Sequence, residues 1–296
     1  MVMSNLTFFR DVQLLIGVRN GGGIIYKNQD VYTNLNRRNN LNMSFNVSKS
    51  VRNAESTGSI TINNVNYDTY KFLTTETENL QVILKVGHEK LNNVNTIFHA
   101  DISDMKFQKD HGGNALQIEA VEGLHVQKFG IMRKSYPPNT LLTDIISDCE
   151  SIITGLGLDS LDLFKIFSQM DKDIVGSQKL ANGYTANMNV LAVLRLLLSH
   201  YNYSVYVNNN RLVISHPDAI IQEGGYYFDY KYGLMGEPNL LSDNTIKFKA
   251  VINPFVTLGS QVRVKTDNFA KNFIVNSIVY SGGNHDGEFS MDVEAI

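Results

Sequence analysis

The chain has 296 residues, with 26 Lys and Arg against 29 Asp and Glu and a formal charge of −3. That length holds two or three domains with well-buried cores, and the missing basic surplus argues against a dedicated nucleic-acid binder. Asparagine is the outlier at 33 residues, more than all the acids together, while charged residues make only 19% of the chain and Trp is absent. An uncharged polar surface is desolvated more easily than a charged one and suits large permanent contacts between subunits. Codon bias in an AT-rich genome accounts for the same excess equally well.

A single cysteine, Cys149, excludes intramolecular disulfides and multi-cysteine metal sites. No run approaches the roughly 18 apolar residues of a membrane span. The apolar start MVMSNLTFFRDVQLLIGV is broken by Arg10 and Asp11, and no small-residue cleavage site follows. The expectation is a soluble protein assembled in a reducing cytoplasm, without membrane insertion. The Asn-x-Ser/Thr triplets at Asn5, Asn46 and Asn202 then carry no glycosylation meaning.

In chain order, the first 123 residues read as strands. Leu41 to Ser48 alternates, with Leu41, Met43, Phe45 and Val47 on one face and Asn42, Ser44, Asn46 and Ser48 on the other, the period of a half-buried strand. Further strands are expected at Ser59–Asn63, before a turn at Asn63–Asn66, and at Leu80–Val86, Thr96–Ile102 and Leu116–Ala120, the last after the His111-Gly112-Gly113-Asn114 turn. Short strands with Gly and Asn turns predict an antiparallel barrel or sandwich.

The middle changes character. After the Tyr136-Pro137-Pro138-Asn139 breaker, Asn139 or Thr140 offers an N-cap. Leu141, Leu142, Ile145, Ile146, Cys149, Ile152 and Ile153 then share a helical face that stops at Gly155. A second helix is expected over Asn187–His200, then a hairpin of Tyr203–Val207 and Arg211–Ser215 around Asn208-Asn209-Asn210. The last third returns to strands at Ile246–Val251, Gln261–Lys265, Asn272–Tyr280 and Phe289–Glu294, with Asp286-Gly287 as a hairpin turn.

The two β regions echo one another. Val82–Lys85, Ile97–Ile102 and Leu116–Ala120 match Val262–Lys265, Phe273–Ile278 and Met291–Ala295. Ile102 to Glu119 spans 17 positions and Ile278 to Glu294 spans 16. Duplication and shared strand grammar both account for the match at this level.

No residue pattern in the chain marks a chemical site. His88-Glu89 and His285-Asp286 fall in expected turns, and no H-x-x-x-H or H-E-x-x-H spacing occurs. The acid pairs Glu76/Glu78, Asp101/Asp104 and Asp171/Asp173 have no pattern that sets them across a cleft. Gly21-Gly22-Gly23 lacks the Lys-Ser/Thr of a phosphate loop. Cys149 lies on an apolar helix face, as core rather than nucleophile. No G-x-S-x-G elbow is present. Around Tyr226, Tyr227, Phe228, Tyr230 and Tyr232 the only cation is Lys231, so a tyrosine-rich strand at an interface or in a core reads better than a base-stacking platform. No catalytic residue, cofactor or metal is expected.

The most informative segment is Tyr232 to Ile296. It runs G-L-M-G-x-P at Gly233, Gly236 and Pro238, then N-P-x-x-x-x-G-x-x-V at Asn253, Pro254 and Gly259, then F-x-V-x-x-I-x-Y-x-G ending at Gly282, and closes on E-A. With R-x-V-Q-L-L-I-G at Arg10–Gly17, S-I-T-I-N-N-V at Ser59–Val65 and Y-P-P-N-T at Tyr136–Thr140, the order resembles the baseplate hub proteins of contractile-tailed bacteriophages, the family of the late-control hub of Mu-like phages. One departure stands out: the family often has G-D-[ST]-x-G in the last hairpin, where this chain has Gly283-Asn284-His285-Asp286-Gly287. The seven motif residues read as fold determinants. Asn253-Pro254 should end a strand or lie on an edge, Gly259 should supply a positive-φ turn, and Gly236 and Pro238 should fix a loop.

The resemblance implies a mainly β chain with an α+β insertion: two related antiparallel β-barrel tube domains plus a small α+β module. The boundaries expected are 1–123 for the first barrel, 124–138 with 219–296 for the second, and 139–218 for the module. It further implies a structural, non-enzymatic hub in the virion tail baseplate, assembled in the host cytoplasm. A homotrimeric ring would adapt a sixfold tail tube to a threefold central spike, contact the tube or tube-initiator protein and other baseplate proteins, and meet DNA only in passage. The competing expectation is a peripheral receptor- or carbohydrate-binding tail protein, motivated by the tyrosines and the asparagines.

Overall fold

The computed structural model describes residues 10–19, 23–27, 41–52, 55–75, 80–88, 91, 93–110, 113–160, 178–216, 222–241, 244–285 and 287–296. Contacts divide the chain into one unit of Met1–Glu122 with Ile220–Ile296 and another of Gly123–Ala219.

The first unit is built on one thirteen-stranded sheet. Its N-terminal strands are β1 (Arg10–Val18), β2 (Gly23–Lys27), β3 (Met43–Ser50), β4 (Thr57–Asn63), β5 (Leu80–His88), β6 (Asn95–Asp110) and β7 (Gly113–Val121), with helix α1 (Tyr67–Thr75) between β4 and β5. Strict alternation makes β3: Met43, Phe45 and Val47 are buried while Ser44, Asn46 and Ser48 are exposed. Asn64, at φ 63°, turns the chain out of β4, a conformation its short side chain tolerates.

The last third of the chain adds β13 (Gln222–Phe228), β14 (Leu234–Leu240), β15 (Ile246–Val251), β16 (Ser260–Lys265), β17 (Ala270–Gly283) and β18 (Ser290–Ala295). Among the described residues of this unit every ladder is antiparallel except β13 with β16. The two regions repeat one strand order, β3-β4-β7-β6-β5-β1-β2 in the first and β14-β15-β18-β17-β16-β13 in the second, joined where β3 pairs with β17. The first array has one strand more. β2 is antiparallel to β1, and β1 to β5, so β2 runs in the direction of β5 as β13 runs with β16. β1 is therefore the interposed strand. Among the described residues no ladder links the two edge strands of either array, so what the pairing shows is two antiparallel arrays and no closed barrel.

The sequence echo is real in two strands and misregistered in the third. Asp101 pairs with Gln81 and Ile274 with Gln261, which equates Gln81–Lys85 with Gln261–Lys265. Ile102 faces Ala120 and Val275 faces Ala295, which equates Leu116–Ala120 with Met291–Ala295. Ile102 therefore corresponds to Val275, three positions before the Ile278 suggested by the sequence. Both long strands carry a bulge at the same place: Ser103 is skipped between Ala120 and Glu119, and Asn276 between Ala295 and Glu294. The shared bulges cancel in the comparison, and the offset lies in the hairpins: Ile102 to its partner Ala120 spans 18 positions, whereas Val275 to Ala295 spans 20.

The second unit holds α2 (Leu124–Phe129), β8 (Ile131–Tyr136), α3 (Leu142–Gly155), β9 (Asp159–Ser160), β10 (Tyr184–Asn189), α4 (Val190–Ser199), β11 (Ser204–Asn208) and β12 (Arg211–Ser215). β8 pairs with β10, β11 with β12, and β9 runs parallel to β12. Leu142, Ile145, Ile146, Cys149 and Ile153 of α3 meet Val190, Leu191, Val193, Leu194 and Leu198 of α4 in one core.

The caps differ from expectation. Asn139 sits at φ 66° in a turn, Thr140 donates its hydroxyl to the Pro137 carbonyl, and the cap position is Leu141, which has no side-chain cap. The N–H of Leu142 instead donates to the Gln178 carbonyl at 3.0 Å, so a passing backbone satisfies the helix start. Gly155 is the last helical residue. The left-handed position is Gly157, at φ 76°. α4 begins three residues later than expected because Asn187 still belongs to β10, and Asn189 caps it by accepting from Leu191 N–H at 2.9 Å. Asn209 and Asn210 both take positive φ in the β11–β12 turn, as the hairpin reading required.

Candidate functional site

The chemistry of the first unit concentrates at the seam between its two arrays, where β3 pairs with β4 on one edge and β17 on the other. The parity that buries Met43, Phe45 and Val47 also buries Lys49. Its Nζ meets Glu122 Oε1 at 2.8 Å, with both side chains fully shielded from solvent, and lies 5.8 Å from the centre of the Phe98 ring. Burial pulls the Lys49 pKa below the ordinary lysine value, and the Glu122 carboxylate opposes that shift. Nearby, Tyr280 of β17 is 1% exposed and donates its hydroxyl to the Val256 carbonyl. Burial raises its pKa, with Glu122 adding to the effect. Lysine at a core-parity position is the signal that could have exposed this pair in the sequence.

The far end of the seam is closed by Asn284. Its Oδ1 accepts from Met43 N–H at 2.8 Å and its Nδ2 donates to the Leu41 carbonyl at 2.7 Å. A side-chain amide donates and accepts at once, which an ionised carboxylate cannot do, so Asn at this position serves both backbone groups. Gly282 faces Phe45 across the ladder, and a Cβ there would fall 2.8 Å from Phe289 and 3.0 Å from Phe45. Arg10 of β1 reaches the same hairpin, donating to the carbonyls of Gly283 (3.3 Å) and Gly287 (2.8 Å) while its guanidinium lies 5.2 Å from the Phe289 ring centre.

The remaining motif residues scatter over the second array. Gly233, at φ 96°, follows the Asp229 turn, in which Oδ1 accepts from the N–H groups of Lys231 and Tyr232. The Gly233 carbonyl then accepts from Val251 N–H. Gly236 and Pro238 lie inside β14 and not in a loop: Gly236 is at φ 76°, and the ladder to β15 slips between Met235 and Asn239. This bulge is how an edge strand accommodates proline. Asn253 and Pro254 follow the end of β15, where Asn253 Oδ1 accepts from Phe255 N–H. Gly259, at φ 77°, enters β16 and donates its N–H to the Val275 carbonyl.

Titratable candidates are used structurally. Asp101 is held by Arg19 at 2.5 Å and Gln81 at 3.1 Å, while Asp104 pairs with exposed Lys106. His88 packs edge-on to Phe289. Cys149 is fully buried beside Met132, and burial pushes its thiol up to about 12, leaving it protonated at neutral pH. Glu76, Glu78, Glu89, His111, Asp171, Asp173, Gly21, Gly22, Asp286 and Asn5 lie outside the described residues. Among the described residues no three His, Cys, Asp or Glu side chains gather to hold a metal, and no helix is long and apolar enough to cross a membrane. Of the tyrosine-rich segment, Phe228 is buried against Phe248, whereas Tyr227, Tyr230 and Tyr232 are exposed.

The first unit thus repeats one strand order across a buried seam, whose polar groups bond strand to strand. The family model described as baseplate hub gp41 matches residues 23–295, and the chain belongs to that family of phage tail baseplate proteins. The fold is shared with the 43 kDa tail protein of prophage MuSo2 from Shewanella oneidensis (TM-score 0.60, 8% identity, covering 96% of this chain and 98% of that one). It is shared also with a tail protein from Neisseria meningitidis MC58 (TM-score 0.62, 7% identity, 97% and 96%). A third similar structure is the E. coli c3393 protein, a type VI secretion component described as similar to T4 tail proteins gp27 and gp5 (TM-score 0.53, 11% identity, 87% and 74%). A search of curated protein sequences finds no match to this chain.

Proposed function

We propose that this baseplate hub is a homotrimer whose two strand arrays per chain form a pseudo-sixfold ring between a sixfold tail tube and a threefold central spike. The observation that carries the reading is the repeated strand order with a bulge at equivalent places in β6 and β17. Two like modules per chain let three chains present six like surfaces to a sixfold partner. Each array acts as a tube domain curled toward a barrel, and residues 123–219 form the inserted module. The pairing of β8 with β10 supports a module that begins before β8, near 123, and not at 139. Gly233, Gly236, Pro238, Asn253, Pro254, Gly259 and Gly282 serve as fold determinants of the second array.

In this reading the partners are the spike, the tube or tube-initiator protein and other baseplate proteins. Assembly takes place in the host cytoplasm, and DNA meets the ring only in passage. The role is mechanical: the ring frames the ejection channel and releases the spike on contraction. Light scattering of the purified chain, alone and with its spike, should give a trimer. A monomer in both conditions, together with glycan binding through the exposed tyrosines, would replace the reading with a peripheral receptor-binding one.

A further inference from the structure

The repeat leaves its two arrays unequally paired. Beyond its bulge, β17 uses both edges, with β18 on one and β3 on the other, from Ser277 facing Ser50 to Gly283 facing Ser44. The counterpart stretch of β6, Asp104 to Asp110, pairs with β7 on one edge, and among the described residues no ladder lies on the other. β14, the counterpart of β3, pairs with β15, and among the described residues its outer edge carries no strand either. β3 and β17 meet within the chain. Their counterparts do not.

We propose that β14 of one copy adds to the open edge of β6 of a second copy, in the register of the β3–β17 ladder. This rests on the ring reading above and names its contact. The equivalences run through the shared bulge and the β4–β7 and β15–β18 ladders. Val47 facing Tyr280 becomes Leu240 facing Phe107, and Asn46 facing Ser281 becomes Asn239 facing Gln108. The bulged segment carrying Glu237 then falls opposite Lys109, which matches opposite charges.

Burial supports the match. Ile278 and Tyr280, covered by β3, are 0% and 1% exposed, whereas their counterparts Met105 and Phe107 are only half-buried. Leu240 and Leu241 are 42% and 37% exposed on β14. The bulge carbonyl of Asn276 accepts from Val51 N–H beyond β3, while the equivalent Ser103 is exposed. The Gly236 bulge, Pro238 and edge charges such as Lys106 are devices that keep open strands from pairing at random. They confine this contact to the few residues around Asn239–Leu241. Because the two surfaces differ, the contact is heterologous and continues from copy to copy until a ring closes.

The test uses full-length Phe107→Cys and Leu240→Cys chains, mixed, assembled in the condition that gives the oligomer, and oxidised. Facing positions of a ladder are within disulfide reach, and Cys149 is buried. The mixture should give a covalent dimer that either variant alone does not, and replacing Phe107→Cys by Lys109→Cys should reduce it. Leu240→Glu, on an exposed side chain, should abolish the oligomer while leaving the melting temperature of the monomer fold unchanged. Light scattering of the unsubstituted chain runs in parallel. A trimer that fails to cross-link, that cross-links equally out of register, or that survives Leu240→Glu overturns this contact and leaves the ring reading standing. A monomer both alone and with the spike overturns both.

Discussion

The two strand arrays share an order, a bulge and a Glu-Ala pair opposite that bulge, yet differ in what covers them. In the second array β3 lies along β17, and Ile278 and Tyr280 disappear from solvent. In the first, the same stretch of β6 reads Asp104-Met105-Lys106-Phe107-Gln108-Lys109, with its charged residues exposed. Backbone pairing follows from alternation and register, which both arrays possess. Burial follows from the neighbour on the open edge, which only one array finds within the chain.

The largest test of that contrast lies at Lys49, where β3 serves both arrays. Lys49→Ala leaves Glu122 buried without its ion partner and should lower stability by about 3–5 kcal/mol in urea unfolding, whereas Lys49→Met with Glu122→Leu should recover most of the loss. Recovery absent from the double variant would mean that the pair does more than satisfy itself.

Gly282 and Lys109 occupy equivalent places in β17 and β6. Gly282→Ala forces a Cβ against Phe289 and Phe45 and should cost about 1–3 kcal/mol, while Lys109→Ala on the open strand should stay within about 0.5 kcal/mol in the monomer. Equal melting temperatures for the two variants would erase the asymmetry between the arrays. At the seam's end, Asn284→Asp removes the donor to the Leu41 carbonyl and should cost about 1–3 kcal/mol at neutral pH. An unchanged midpoint would show that the amide is dispensable.

The smallest effect is expected in the inserted unit. Burial pushes the Asp148 pKa upward, but hydrogen bonds from Lys134 and Tyr136, both at 2.6 Å, outweigh it and hold the carboxyl below the usual carboxylate range. The sign follows from linkage: this stabilisation is complete above the unfolded-chain carboxylate pKa and is lost as pH falls through the lower folded value. Because Asp148 is 36% exposed, the contribution is below about 1 kcal/mol, and Asp148→Asn should flatten the acid limb of a Tm-against-pH curve by only that much.

Most of the strands were legible because alternation is a local property: β15 matches its expected span, and β3, β4, β7 and β18 differ by a few residues at their ends. α1 was not foreseen. Its Tyr67 and Tyr70 pack on Phe107, a contact that no local pattern of Tyr67–Thr75 reveals. The motif glycines were readable as turn or close-approach positions, but Gly236 and Pro238 sit in a bulged edge strand because the slipped pairing with β15 places them there. Lys49 and Asn284 went unread as site residues, since each acts through groups more than seventy positions away in sequence.

The period-two faces, the two helical stripes of the insertion and the asparagine turns follow from neighbouring residues alone, and the order of the motifs along the chain carries the family. Which strands pair, in what register the echo aligns, that passing backbone caps α3, and that a core lysine finds its acid emerge only in three dimensions. Each of those requires two distant segments to meet, and the free energy of that meeting is written in neither segment separately.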